Sequence, residues 1–146
     1  MKVVLQRAKD ASVRVNNEEV GAIAAGLVLL VGIHEEDTEE EVEWICEKIL
    51  KMRIFDDEDG KMNLSVQDVE GELLVISQFT LYGDPSKGNR PSYIEAAGPG
   101  KAEKLYEQMI RYLKEHSDLH VASGTFGAYM EVQLTNDGPV TIVLDK

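Results

Sequence analysis

Short apolar runs open this chain. Val3–Arg7, Ser12–Val15 and Gly26–Ile33 are rich in Val, Leu and Ile and read as strands. The third run is apolar almost throughout, the pattern of a strand covered on both faces. Asn16-Asn17 predicts a hairpin turn leading into a short strand near Glu19–Ile23. The period then lengthens to 3.6 residues. Val42, Ile45, Cys46, Ile49 and Leu50 line one face of a predicted helix whose acids face water. Thr38 and Glu41, three residues apart, form a capping box at its start.

Asp56–Gly60 is a polar loop, and Leu73–Leu81 is the next predicted strand. Gly83–Gly100 is the longest irregular stretch, rich in Gly, Pro and Ser. Loops of that length are usually functional or disordered. Pro99 opens a second helix, with Ala102, Leu105, Tyr106, Met109, Ile110 and Leu113 at helical spacing. Two strands, Ala128–Thr135 and Val140–Leu144, complete the chain, joined by a sharp turn at Asn136-Asp137-Gly138-Pro139. The pattern predicts one α+β domain over residues 1–146, with two amphipathic helices packed on a curved, mainly antiparallel, barrel-like sheet.

Composition narrows the class. With 146 residues, 43% hydrophobic and 29% charged, the chain can bury a core without staples. A lone cysteine, Cys46, excludes an intrachain disulfide and suits a reducing compartment. The apolar run Ala22–Ile33 is too short to span a membrane, and the first residues lack a signal-peptide layout. We therefore expect a cytoplasmic protein with no membrane partner. A net charge of −12 argues against DNA and against any broad nucleic-acid footprint. The charge is uneven, however. Eight acids lie between Glu35 and Glu47, whereas Lys2, Arg7, Lys9 and Arg14 cluster at the start and Lys87, Arg90 and Lys101 surround the long loop. A partner gripped only at one end of a nucleic acid is compatible with that distribution.

Few residues advertise chemistry. His34, His116 and His120 have no Cys or carboxylate at metal-ligand spacing, so no metal is expected. Asp56–Asp59 lacks the twelfth-position acid of a calcium loop, and Cys46 sits on the apolar face of a helix. Thr80 is the most evident hydroxyl nucleophile, but no His or Lys adjoins it to act as base. Strand propensity explains a threonine there without catalysis. Gln78, on the same face of the predicted strand, suits hydrogen bonding to a carbonyl or ribose, or to a buried polar neighbour.

Ser77-Gln78-Phe79-Thr80-Leu81 and Asn136-Asp137-Gly138-Pro139-Val140-Thr141 resemble the two signature motifs of D-aminoacyl-tRNA deacylases, also known as D-tyrosyl-tRNA deacylases. The resemblance continues through Gln6-Arg7-Ala8, Ala11-Ser12-Val13, Arg53-Ile54-Phe55, Gly60–Leu64, Arg90-Pro91-Ser92 and Gly124–Met130, in order along the chain. It implies hydrolysis of the ester joining a D-amino acid, or glycine, to tRNA, without a cofactor. It also implies a homodimer in which a cis Gly138-Pro139 bond enters the partner's site and rejects L-amino acids. Gln78, Phe79, Thr80, Gly138 and Pro139 would then be the catalytic set, with an oxyanion held by amides near Phe79. Ser77, Ala102, Phe126, Met130 and Arg7 would bind substrate, Phe126 either stacking on the terminal adenine or serving as a core aromatic. The 2′-hydroxyl of the tRNA would help activate water, a role we favour over a Thr80 acyl-enzyme. Two rivals from other classes are a binding module without turnover and an adaptor presenting the acidic Glu35–Glu47 face.

Overall fold

The computed structural model describes all residues, Met1–Lys146. Its elements are β1 (Lys2–Val15), β2 (Glu18–Gly32), α1 (Glu39–Lys51), β3 (Phe55–Asp56), β4 (Met62–Leu64), β5 (Glu72–Ser77), a 3-10 helix (Phe79–Tyr82), α2 (Pro99–Glu115), β6 (Val121–Ser123) and β7 (Glu131–Asp145). Five strands form an open sheet in the order β6-β5-β2-β1-β7, and β3 pairs with β4 separately. The α+β class stands, but the sheet is mixed. β1 is antiparallel to both β2 and β7, whereas β2–β5 and β5–β6 are parallel. Parallel neighbours need long crossovers. Here α1 lies in the β2-to-β5 crossover and α2 in the β5-to-β6 crossover, and the two helices pack against each other.

Strands predicted as separate pieces are continuous. The two opening runs form the single β1, and the Asn16-Asn17 turn, with φ of 52° and 66°, delivers the chain into β2, one residue longer. The far half of this hairpin curls back over the sheet. Gly21 of β2 lies against β6 so closely that an added Cβ would be 2.7 Å from the Ser123 carbonyl oxygen. The sheet approaches a barrel this way without closing, because β6 and β7 remain edges.

That curl creates two cores. Val3, Leu5, Leu27, Leu29, Leu73 and Val75 pack with the apolar faces of α1 and α2. Ala8, Ala11, Val13, Ile23, Val28, Leu74 and Ile76 fill the space on the other side. The Gly26–Ile33 run is thus buried on both faces, except for half-buried Leu30. Gly26, at φ 151°, begins the pairing with β5. A Cβ there would overlap the Glu72 carbonyl oxygen, so only glycine permits the approach. The Thr38–Glu41 capping box forms, with the Thr38 amide donating to the Glu41 carboxylate at 2.8 Å. No helix is long and apolar enough to cross a membrane.

Cys46 is fully buried in the first core, and burial pushes its thiol up to about 12 from an ordinary 9.0. A shift of that size leaves roughly a thousandfold less thiolate near neutral pH. Iodoacetamide at pH 8 should therefore label the folded protein at least a thousandfold more slowly than the urea-unfolded chain, followed by mass spectrometry. Labelling within tenfold of the unfolded rate would show that the core opens locally.

Candidate active site

The sequence pattern predicts a strand from Leu73 through Leu81, but the chain leaves the extended form within the first motif. β5 ends at Ser77, the Gln78 amide donates to the Val31 carbonyl at 2.7 Å, and residues 79–82 wind into a 3-10 turn. Gln78 and Thr80 meet by another route than strand alternation. The Gln78 Nε2 donates to the Thr80 hydroxyl oxygen. Turning the chain here also frees backbone donors. The amides of Phe79 and Thr80 open the turn and have no acceptor within the chain.

This turn borders a cavity of about 650 Å³ at the carboxyl ends of the parallel strands β2 and β5. Val31, Ile33 and Ile76 form its floor, Ser77, Gln78 and Phe79 one wall, and Ala96–Pro99 with Ala102 of α2 another. The segment between β6 and β7 supplies Phe126–Met130 opposite. Of the expected residues, Ser77, Gln78, Phe79, Ala102, Phe126 and Met130 converge here. Thr80 stands just behind the wall through its bond to Gln78. Every lining side chain is uncharged. The cavity can therefore accept an aromatic or aliphatic body, but it offers no ion pair to an ammonium or a phosphate.

Two further contributors read in the sequence only as core and loop positions. Tyr106 projects from α2 into the lining and donates its hydroxyl to the Val75 carbonyl at 2.8 Å, its ring 5.8 Å from that of Phe126. Burial pushes this phenol up to about 12, so it stays neutral and is no base. Tyr93, from the long loop, packs edge-on against Phe79 at 5.1 Å. Helical periodicity hides Tyr106 among core positions, and nothing local in the sequence marks Tyr93. No three His, Cys, Asp or Glu side chains gather as a metal-holding group.

Gly138, Pro139 and Arg7 lie outside the lining of this cavity. The expected sharp turn is a bulge within the continuous β7, because both halves of that strand pair with the same neighbour. Gln6 faces Thr141 and Ala8 faces Asn136, so Arg7 alone stands opposite residues 137–140. Gly138-Pro139 is cis and exposed at the apex. Arg7, which the resemblance puts among substrate-binding groups, is buried beneath the bulge. Its Nε donates to the Asp137 carbonyl at 2.9 Å and its Nη1 to the Ile54 carbonyl at 2.8 Å. The Asn136 side-chain oxygen accepts from the Val140 amide at 3.0 Å, and Lys9 pairs with Asp137 at 3.0 Å. Asn136 and Asp137 thus hold the bulge in shape, a role their place in the motif does not by itself reveal.

Fold and site define a small α+β protein with a neutral, largely apolar pocket whose polar contacts come mainly from backbone and amide groups. The profile of the D-Tyr-tRNA(Tyr) deacylase family matches residues 4–145. D-aminoacyl-tRNA deacylases of Halalkalibacterium halodurans and Thermotoga petrophila are 60% and 54% identical over all 146 residues, covering 99% and 97% of those proteins. Among solved structures, the c-Myc DNA unwinding element binding protein superimposes with a TM-score of 0.95 at 43% identity, over 100% of this chain and 99% of that one. A probable eukaryotic D-amino acid tRNA deacylase shares the fold at a TM-score of 0.85 and 19% identity, over 99% and 98% of the two chains. The chain belongs to the D-aminoacyl-tRNA deacylase family and is a hydrolase.

Proposed function

We propose that this hydrolase cleaves D-aminoacyl-tRNA in the cytoplasm as a homodimer, each pocket completed by Gly138-Pro139 of the second copy. The observation that carries the reading is the pocket's lack of any charged side chain beside two unpartnered amides. The terminal adenosine stacks in the apolar part, near Phe126 and Ala102. The ester carbonyl then meets the Phe79 and Thr80 amides, which take up the negative charge of the tetrahedral intermediate. Water adds to the carbonyl carbon, and the bond to the ribose 3′-oxygen breaks. The 2′-hydroxyl relays the water's proton to that leaving oxygen. Free amino acid and intact tRNA result, and the reaction as written needs no metal.

Stereoselectivity follows from the ammonium group. With no carboxylate in the pocket, backbone carbonyls of the partner's exposed Gly138-Pro139 segment receive it. An L side chain would then point into that segment and a D side chain away from it. Glycine has no side chain to reject, so glycyl-tRNA is hydrolysed too. The test is single-turnover deacylation of D-Tyr-, L-Tyr- and Gly-tRNA by EDTA-treated protein, with its mass in solution measured alongside. Loss of the D and glycyl esters with the L ester spared is expected; a D ester as stable as in buffer would sink the reading.

Thr80 serves here as a positioning group. Its oxygen already accepts from Gln78, and no base adjoins it. Thr80→Ala then forfeits one ordinary hydrogen bond, about 1 kcal/mol, or roughly fivefold in rate. Loss of a true hydroxyl nucleophile costs on the order of a millionfold. A terminal 2′-deoxyadenosine should be far more damaging than Thr80→Ala. The reverse ranking would restore the acyl-enzyme.

A further inference from the structure

The loop between the 3-10 turn and α2 stands at the mouth of the pocket, and its charges are not spent on the fold. Asp84 and Ser92 exchange backbone hydrogen bonds at 2.8 and 2.9 Å, pinching off a tip at residues 85–91. The base of the loop is tied down as well, the Glu35 amide donating to the Glu95 carbonyl and the Ala97 amide to the Ile33 carbonyl. It is a preformed platform. The tip carries Lys87 and Arg90, both exposed and neither paired with an acid. The one acid at its neck, Asp84, is turned onto the Ser86 amide and hydroxyl, which hold its carboxyl below the usual range. Between the tip and the pocket lie Tyr93, edge-on to Phe79, and Ile94, 87% exposed.

Unpaired cations beside exposed aromatic and aliphatic surface suit a single-stranded nucleic acid, whose phosphates need charge and whose bases need a flat apolar contact. We propose that this loop receives the unpaired nucleotides immediately preceding the terminal adenosine, Lys87 and Arg90 contacting their phosphates. The proposal rests on the deacylase reading above. Charge decides the location. On a chain of net charge −12, a polyanion can settle only where positive groups are locally free. The start of α2, the other positive feature of the rim, is already occupied. Its Gly98 amide donates to the Glu35 carboxylate at 3.0 Å, and Lys101 donates to the Glu35 carbonyl. Reach is suitable too. Three residues on either side of the tip extend at most about 10 Å beyond the neck, enough for the neighbouring nucleotides and not for the body of a tRNA.

The experiment compares Lys87→Gln/Arg90→Gln with a remote control of equal charge change, Lys48→Gln/Arg111→Gln. Two substrates are used, D-tyrosyl-tRNA and 2′(3′)-O-D-tyrosyl-adenosine, which lacks the preceding nucleotides. With tRNA, the loop variant should lose roughly tenfold in kcat/KM at low salt. Its slope against log salt should flatten by about 1.4, the value for two single-strand phosphate contacts. The adenosine ester should be hydrolysed at the wild-type rate, and the remote variant should match wild type on both. A loop variant with unchanged tRNA kinetics and salt slope would overturn the proposal. So would equal losses on both substrates, which would mean that the loop shapes the pocket. Failure of wild-type protein to hydrolyse D-tyrosyl-tRNA would instead remove the reading on which it rests.

Discussion

Gly138→Ala should lower single-turnover hydrolysis of D-Tyr-tRNA by at least about a hundredfold while leaving a folded protein. At φ 135° glycine occupies backbone that L side chains rarely adopt, and the site is crowded besides. An added Cβ would lie 2.8 Å from the Val140 side chain, 3.0 Å from the Val140 nitrogen and 3.2 Å from the Arg7 guanidinium. Two of these neighbours cannot yield easily, since one is backbone and Arg7 is anchored at Ile54 and Asp137. The bulge must therefore shift. Backbone strain of about 1–3 kcal/mol is tolerable for a domain stable by roughly 5–15 kcal/mol. A displacement near 1 Å is not if the bulge positions substrate as proposed, since it would cost on the order of a hundredfold in rate. A modest fall in Tm with near-complete loss of activity is the signature to measure; full activity would mean that the bulge never meets substrate.

The same variant tests which chain completes which pocket. Ala102→Trp should fill its own pocket yet keep an intact Gly138-Pro139 segment, because Ala102 lines the cavity and Gly138 and Pro139 lie outside that lining. Mixing the two inactive proteins under exchange should restore about a quarter of wild-type sites, the statistical yield for a two-fold dimer. Sites built from one chain alone would yield no recovery.

Arg7 carries the second large effect. Its guanidinium spans Ile54, Asp56 and Asp137, with Nη1 3.4 Å from Asp56 and Nε 3.7 Å from the Asp137 carboxylate. Arg7→Ala would leave buried acceptors without donors, a loss of about 3–5 kcal/mol. Arg7→Lys is the sharper probe. One ammonium cannot reproduce a planar fork that serves two carbonyls on different segments. We expect it to cost about 1–2 kcal/mol in urea unfolding. The rate on D-Tyr-tRNA should fall by an order of magnitude or more as the bulge loosens. The discrimination between L and D esters should narrow as well, because the proposed rejection of L esters requires a rigid wall. Arg7→Lys with wild-type discrimination would reduce Arg7 to a stabilising core residue.

Much was legible in the residues themselves. The helix starts and apolar faces followed from caps and 3.6-residue spacing, since those signals are local. The Asn16-Asn17 turn was legible for the same reason, asparagine tolerating positive φ. The first motif marked residues that line or adjoin the cavity, Ser77, Gln78, Phe79 and Thr80, whereas the second marked a bulge that lies outside its lining. The breaks between strands were misplaced. Polar residues inside β1 and β7 resemble loops, yet hydrogen bonding to a shared neighbour keeps both strands continuous. The sequence pattern runs the strand on to Leu81 because Phe79 and Thr80 favour β structure, while in the structure a 3-10 turn begins after the backbone bond from Gln78 to Val31.

By itself, then, the chain's sequence determined the α+β class, the two helices and, through its ordered motifs, membership of the deacylase family. Each depends on residue type and short-range spacing. Tertiary structure alone decided that the sheet is mixed and open, that the Phe79 and Thr80 amides are free, and that Arg7 braces a bulge instead of lining the pocket. It also separated Gly138-Pro139 from the cavity of its own chain. Those facts depend on which distant segments share hydrogen bonds and space, for Arg7 reaches Ile54 and Asp137 across 47 and 130 residues of chain, and no local pattern encodes such a meeting.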